Sequence, residues 1–329
     1  MLDSNPTVSV IILSYNQSKY LSDAIQSVLD QTYQNFEIII SDNGSTDSSK
    51  EIIKNFLHDR RIIFLDYKEN LSISIRQNQA ARKASGSFIS LLYSDDYYLP
   101  SKLENQIKIF SSLSEEWGVV HGPGIELDDF TGRQQPIPAT AAHGKCLNFL
   151  FRNYADGFIN PIAPLVRRQV YLEFPLYEDM FSEGESLYWR IATKYKFFYS
   201  DDPLVVMRYH NKNMGKAIKK NMEMHLVCLD RLEASDGFPT SSITLLRKYK
   251  SQIIFSNAWH CIRTNFEIQW AKKIIFSSIK SYPRGLFSLR YLTAIIFLFI
   301  PKRLLHQVNK LINRIFQKKF TTPLDDYYN

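Results

Sequence analysis

Cysteine is scarce: Cys146, Cys228 and Cys261 are the only three in 329 residues, far apart and without C-x-x-C spacing. That excludes a disulfide framework and a C-x-x-C zinc site, and it fits a reducing compartment. Glycine and proline, with 12 and 13 residues, are too few for a collagen-like or low-complexity chain. Long apolar runs are missing as well. The most apolar stretch, residues 291–300, is bounded by Arg290 and Pro301, far short of the ~20 residues of a simple membrane span. Residues 1–6 show neither the basic nor the apolar part of a secretion signal. With 45% apolar and 22% charged residues, the chain is expected to build a real core, in one large or two modest domains.

Negative charge is absent from one long stretch. Between Glu267 and Asp325 no acidic residue occurs, whereas eleven lysines and arginines do. The whole chain carries +7, so the remainder is net acidic. Basic character confined to one segment argues against a general nucleic-acid binder and for one localised anionic partner.

Phosphate loops are missing too. No G-x-G-x-x-G follows the first strand-like run, and Gly144-Lys145 is followed by Cys146 rather than Ser or Thr. Dinucleotide-binding dehydrogenases and P-loop NTPases are thereby disfavoured. A serine hydrolase is disfavoured by the absence of G-x-S-x-G.

What is present is an alternation of strand and helix signals. Residues 8–13 (VSVIIL), 36–40 (FEIII), 61–65 (RIIFL) and 88–92 (FISLL) are short apolar runs of buried-strand type. Between them, residues 20–29, 45–57 and 73–84 have apolar positions at helical spacing. This order predicts an open, mostly parallel sheet with helices on both faces. Further on, residues 102–113 and 186–194 read as helices, and 116–120, 161–166 and 204–208 as strands. Residues 122–144, rich in Gly, Pro and Thr, read as a long irregular loop, and the chain beyond Asn213 as mainly helical. The expected division is 1–214 and 215–329.

Ligands of such sheets sit at the carboxyl ends of the strands. Ser14-Tyr15-Asn16, Ser41-Asp42-Asn43-Gly44 and Asp95-Asp96 follow three of the predicted strands. One polar cluster is what any strand-to-helix loop shows; three at one edge make a site. Adjacent carboxylates in a cleft repel each other, and a divalent cation relieves the repulsion. Hard oxygen ligands suit Mg²⁺ or Mn²⁺, which also neutralise a diphosphate. A nucleoside diphosphate bridged by a metal uses all three clusters.

The run VSVIILSYNQSKYLSDAIQSVLDQTYQNFEIIISDNGSTDSS, followed by NQAARKASGSFI and LLYSDDYYLPSKL, resembles the opening blocks of family 2 glycosyltransferases, bacterial surface-polysaccharide type, of the GT-A fold. The likeness is strong over about the first 110 residues and weaker to His210. It implies an inverting, metal-assisted enzyme that moves a sugar from a nucleotide-diphosphate sugar to a glycan or lipid-linked acceptor. Ser14, Tyr15, Asn16, Asp42 and Asn43 would hold the nucleobase, with Asp47 in the same loop. Arg76 and Asn78 would lie near the ribose and diphosphate. Asp95 would serve both donor and metal, with Asp96 as a second metal ligand. His210, at the end of LVVMRYH, would be a third ligand, unless it is a plain surface histidine at a strand end.

Two positions depart from the family pattern. Tyr93 stands where an aspartate usually lies two residues before Asp95. The general base is usually the Asp of a Glu-Asp pair ahead of L-x-x-R. Here Glu183-Gly184-Glu185 precedes Leu187 and Arg190, so Gly184 falls on the base position. Glu185 and Glu183 are the carboxylates left to replace it, while Glu178-Asp179 lies too far away. These departures keep a second reading open, a non-catalytic nucleotide- or glycan-binding relative.

At the C-terminus, Leu304, Val308, Leu311, Ile312 and Ile315 share one helical face, and Arg303, Lys310, Arg314 and Lys318 fall opposite. A basic amphipathic helix of this kind suits an anionic membrane surface. The expected location is therefore cytoplasmic, peripheral on the inner face of the cell membrane. The other reading of the same face is closure of the protein's own core or a homo-oligomer interface.

Overall fold

The computed structural model describes residues 7–153, 157–211, 213, 218–264 and 267–284, with a few positions between 292 and 304. The described elements fall in two compact units, Met1–Asn213 with Asp236–Phe238, and Met214–Ser235 with Pro239–Asn329.

The first unit begins β1 (Val8–Ser14), α1 (Leu21–Leu29), β2 (Phe36–Asp42), α2 (Ser49–Phe56), β3 (Ile62–Asp66), α3 (Ile73–Lys83) and β4 (Phe88–Tyr93). Every residue of β2 is buried, because a parallel strand with helices over both faces has no wet side. Helix α1 turns Leu21, Ala24, Ile25 and Val28 into the same core, the i, i+3, i+4, i+7 stripe of a half-buried helix. Helix α3 is capped by Ser72, whose hydroxyl accepts the N–H of Ile75.

The chain continues through β5 (Tyr97–Tyr98), α4 (Lys102–Phe110), β6 (Trp117–His121), β7 (Gly124–Asp128), β8 (Gln134–Ile137), α5 (Leu147–Arg152), β9 (Leu165–Arg167), α6 (Arg168–Glu173), α7 (Ser186–Ala192), β10 (Lys196–Tyr199) and β11 (Val205–Tyr209). Seven strands form the main sheet in the order β10-β6-β9-β4-β1-β2-β3. All pairs are parallel except those of β9, which runs antiparallel to both β4 and β6. A mixed, mostly parallel sheet was expected, and this is one. A second sheet, β5-β11-β7-β8, has four strands.

The stretch read as an irregular loop, residues 122–144, is corrected by the structure. It contains the antiparallel pair β7 and β8, closed by a turn in which the Asp128 carboxylate accepts the N–H groups of Phe130 and Thr131. Pro136 is tolerated because β8 is an edge strand. Its mixture of Gly, Pro and charge hides the strand period that burial would impose.

The second unit is helical, with α8 (Ile218–Glu233), α9 (Ile243–Thr264) and α10 (Ile268–Ser281). Its core includes Leu229, Leu246, Ile254 and Ile275, all fully buried, and His225 Nε2 meets the Tyr249 hydroxyl at 3.0 Å. Among the described residues no helix is long and apolar enough to cross a membrane. Of the amphipathic tail read from the sequence, only Leu304 is described, and it is exposed; the rest lies outside the described residues.

Candidate functional site

Strand register sets the site. Ser14 lies opposite Asp42, Asp42 opposite Asp66, and Leu13 opposite Tyr93. The carboxyl ends of four parallel strands thus form one row, and the loops that leave them carry the polar clusters.

Asp42 is fully buried. Its Oδ1 accepts the Ser45 N–H at 2.8 Å and its Oδ2 the Ser45 hydroxyl at 2.5 Å, with Lys50 Nζ 3.9 Å away. The carboxylate therefore shapes its own loop, and each oxygen keeps a second lone pair for a further donor. Asn16 takes a left-handed backbone, φ 52°, which asparagine tolerates. Its side-chain oxygen accepts the N–H of Thr46 at 2.8 Å, clamping the first loop to the second. Asp47 adds a second clamp, accepting the N–H groups of Ser18 and Ser49. Burial raises its pKa, but these hydrogen bonds outweigh it and hold the carboxyl below the usual range. Tyr15 remains 43% exposed at the mouth. The hydroxyls of Ser14 and Ser41 are buried without a hydrogen-bond partner.

Asn43 and Arg76 meet each other rather than standing free. Arg76 Nε donates to Asn43 Oδ1 at 2.8 Å, and the same oxygen accepts the Leu71 N–H. The guanidinium also donates to Gln79 and to the Glu69 carbonyl and lies 3.6 Å from the Tyr67 ring centroid. Gly44, φ +79°, lets this loop close: a Cβ there would come within 3.0 Å of the Lys68 carbonyl oxygen. Asn78 faces elsewhere. It exchanges hydrogen bonds with the backbone of Leu176 and donates to Glu178, so it joins α3 to the segment before α7 rather than facing the strand-end row.

Beyond β4 the two aspartates part company. Asp95 Oδ2 lies 3.1 Å from His210 Nε2. Asp96 is 4% exposed and accepts the Arg208 backbone N–H through Oδ1 at 2.9 Å. Burial, and then the neighbouring Asp95 charge, push its pKa well up. Burial likewise pushes the Tyr93 phenol up, so it stays neutral beside the aspartates. Among the described residues no three His, Cys, Asp or Glu side chains cluster closely enough to cage a metal. Of the expected ligands Asp95, Asp96 and His210, Asp95 and His210 face each other while Asp96 is engaged with the Arg208 backbone. An oxygen and an imidazole nitrogen still suit a divalent cation that takes its other ligands from diphosphate and water.

The carboxylates ahead of α7 also divide. Glu183 is buried and ion-paired with Arg190. Among the described residues Glu185 carries no ion pair; burial raises its carboxyl to about 7, against one hydrogen bond from the Ile159 backbone. Gly184 between them is left-handed, φ +54°, with open space beside it.

Sequence reasoning missed Tyr20, Asp129 and Lys102. Tyr20 stacks on His210, from 190 positions away, and donates to Asp129; no local pattern reports such a contact. Lys102, in a stretch read simply as helical, is fully buried.

The comparisons agree with this architecture. The model of the family described as Glycosyl transferase family 2 matches residues 9–171. A Bacillus subtilis protein named as a teichuronic acid biosynthesis glycosyltransferase, TuaG, is 36% identical over 115 residues, 35% of this chain and 46% of that protein. The chain spans only 32% to 36% of the length of three Rickettsia glycosyltransferases that it matches. Among solved structures, Staphylococcus aureus TarS 1-349 with UDP-GlcNAc superposes with a TM-score of 0.57 at 14% identity, covering 85% of this chain and 92% of that one. The Pyrobaculum calidifontis mannosyltransferase PcManGT, with GDP-Man and Mn²⁺, gives 0.59 at 13% identity, covering 96% and 88%. These likenesses establish the GT-A fold. Over residues 9–171, just under half of its length, the chain is similar to glycosyl transferase family 2.

Proposed function

We propose that this protein transfers a sugar from a nucleotide-diphosphate sugar to a glycan or lipid-linked acceptor, with inversion, in surface polysaccharide synthesis. The observation that carries the reading is the strand register, which lines up Ser14, Asp42 and Tyr93 and sets Asp95 against His210 just beyond. The likeness to TuaG supports a cell-surface polymer as the acceptor. The TarS and PcManGT complexes, sharing the fold, support a nucleotide sugar as the donor.

In this reading Tyr15 and the clamped loops of Asn16, Asp42 and Asn43 enclose the base. Arg76 holds the loop wall and Asn78 the segment leading to Glu185. Asp95 and His210 hold a divalent cation, Mn²⁺ suiting the imidazole better than Mg²⁺. That cation would neutralise the departing diphosphate. Glu185 is the base: it takes the proton of the acceptor hydroxyl while that oxygen attacks the anomeric carbon, and the bond to the nucleoside diphosphate breaks on the opposite face. A carboxyl near 7 suits that task, because it is basic enough to accept a proton and still ionised at working pH. The basic segment beyond Glu267 holds the enzyme to an anionic membrane surface near its acceptor.

The test is hydrolysis and transfer across a panel of nucleotide sugars, with Mn²⁺, with Mg²⁺ and with chelator. Metal-dependent release of nucleoside diphosphate from one donor supports the reading. Tight nucleotide binding without turnover of any donor favours the non-catalytic relative to which Gly184 and Tyr93 point.

A further inference from the structure

His210 has a neighbour that the mechanism does not use. Its imidazole lies on the Tyr20 ring, with centroids 5.0 Å apart and planes 23° from parallel. Nε2 at the same time faces Asp95 Oδ2 at 3.1 Å. Tyr20 is 7% exposed, and its hydroxyl donates to Asp129 Oδ2 at 2.7 Å and accepts from Lys19 Nζ at 3.0 Å. Asp129 is itself fixed. Lys19 Nζ lies 2.5 Å from the same oxygen, Arg208 approaches the other at 4.0 Å, and the Asp129 N–H donates to the Tyr209 carbonyl at 3.0 Å. Three separate pieces of chain meet here: the loop before α1, the turn between β7 and β8, and the end of β11.

We propose that Tyr20, anchored by Asp129, is a positioning residue that sets the His210 imidazole for a divalent cation shared with Asp95. The proposal rests on the reading of Asp95 and His210 as the cation-holding pair. A histidine just past a strand end has two side-chain torsions to fix, and few of their combinations aim Nε2 at Asp95. A ring stacked on its face removes the others. A ligand already aimed loses less freedom when the ion arrives, and partners that orient metal-binding histidines typically contribute 10–100-fold in metal affinity. The anchor matters because a tyrosine ring held at its hydroxyl cannot tilt away. Tyr20 and Asp129 act through His210 rather than on the sugar.

The experiment titrates Mn²⁺ into the full chain by calorimetry, alone and with UDP or GDP, for the native protein and for His210→Ala, Tyr20→Leu, Tyr20→Phe and Asp129→Asn. Thermal melting is recorded in chelator for each. The expected result is a loss of Mn²⁺ affinity of about 10–100-fold in His210→Ala, nearly as much in Tyr20→Leu, and a smaller loss in Tyr20→Phe and Asp129→Asn with melting little changed. A purely structural role would lower melting and leave Mn²⁺ affinity alone, and that outcome overturns the proposal. Should Tyr20→Leu fail to fold, Tyr20→Phe and Asp129→Asn decide by the same criterion. If His210→Ala binds Mn²⁺ as the native chain does, the cation reading itself fails. If only His210→Ala loses affinity, that reading stands and the positioning role is overturned.

Discussion

Both carboxylate oxygens of Glu183 lie 3.0 Å from Nη1 of Arg190. The pair is sealed: the Glu183 side chain has no exposure, its Oε1 also accepts the Tyr177 N–H, and the guanidinium rests 4.2 Å from the Tyr177 ring centroid. Glu183 is therefore an anchor for the segment that presents Glu185. Removing one partner of a buried pair costs about 3–5 kcal/mol because the other charge is left stranded. Glu183→Gln should lose stability toward the lower end of that range in urea denaturation, with turnover per folded molecule kept. Loss of turnover at native stability would contradict the anchor role.

Glu185 should control the acid limb of the pH profile. Its carboxyl is raised to about 7 by burial, and only the ionised form accepts a proton. Activity is expected to rise through pH ~7 and level off above it. Glu185→Gln should lower kcat by roughly 10²–10⁴-fold and abolish that limb. The sign for stability is opposite. A carboxyl raised on folding favours the folded state below its unfolded pKa, and that contribution fades as pH rises through about 7.

Gly184 invites a gain of function. Its left-handed backbone with open space around it is a conformation that Asp accepts better than most residues. Gly184→Asp would place a carboxylate where the family keeps its base. The double variant Gly184→Asp with Glu185→Gln should regain part of the lost turnover. Turnover no higher than that of Glu185→Gln alone would show that the acceptor hydroxyl lies out of reach of this position.

Lys102 should give the fold an alkaline preference. Its ammonium is fully buried, donates to Ser90 and Gln106 and lies 4.3 Å from the Tyr98 ring centroid, and burial drives its pKa well down. Between the depressed folded value and the unfolded ~10.4, the unfolded chain binds one more proton than the folded one. Stability from this residue thus rises with pH by about 1.4 kcal/mol per unit across that window. Lys102→Met should flatten the dependence, measured as denaturation midpoints from pH 7 to 9. An unchanged slope would mean that the lysine stays charged.

The basic tail should make membrane attachment salt-sensitive. The full chain is expected to float with anionic vesicles at low salt and to detach at high salt. Each basic residue near an anionic leaflet contributes about 1 kcal/mol, so replacing Lys310, Arg314 and Lys318 by Gln should weaken flotation by roughly 100-fold. Flotation with neutral vesicles, or none with anionic ones, would turn the tail toward a protein partner.

Burial decides how much of this was legible beforehand. β1, β2 and β4 announce themselves because strands covered on both faces must be apolar throughout, and the polar residues that follow them are where the edge of the sheet lies. β9 has three residues, so the strand read at 161–166 overlaps it only at its end, and β8, with one buried position in four, was not read as a strand. At the site, Asp95 and Asp96 stood out by their position at a strand end, whereas His210, Glu183 and Glu185 were candidates through the family resemblance and its spacing. The sequence did not separate Asp95 from Asp96, because adjacent residues look alike until one of them meets the Arg208 backbone. Nor did it show that Asn43 and Arg76 hold each other, a pairing made across 33 positions. Lys102 was hidden for the converse reason: a charged residue on an amphipathic helix normally faces water, and only the tertiary fold shows that this one does not.

The antiparallel strand β9 also dictates the order in which the sheet can be completed. β1, β2, β3 and β4 follow one another in the chain and pair among themselves, β1 with β4 across 80 positions, so they can assemble soon after residue 93 leaves the ribosome. β6 emerges next but has no place beside β4, because β9 sits between them. Its edge stays open until residues 165–167 arrive, and β10 then docks on the far side of β6. Synthesis at about 5–20 residues per second leaves that apolar edge waiting for several seconds. This interval is the window in which a nascent chain is most exposed to wrong pairing.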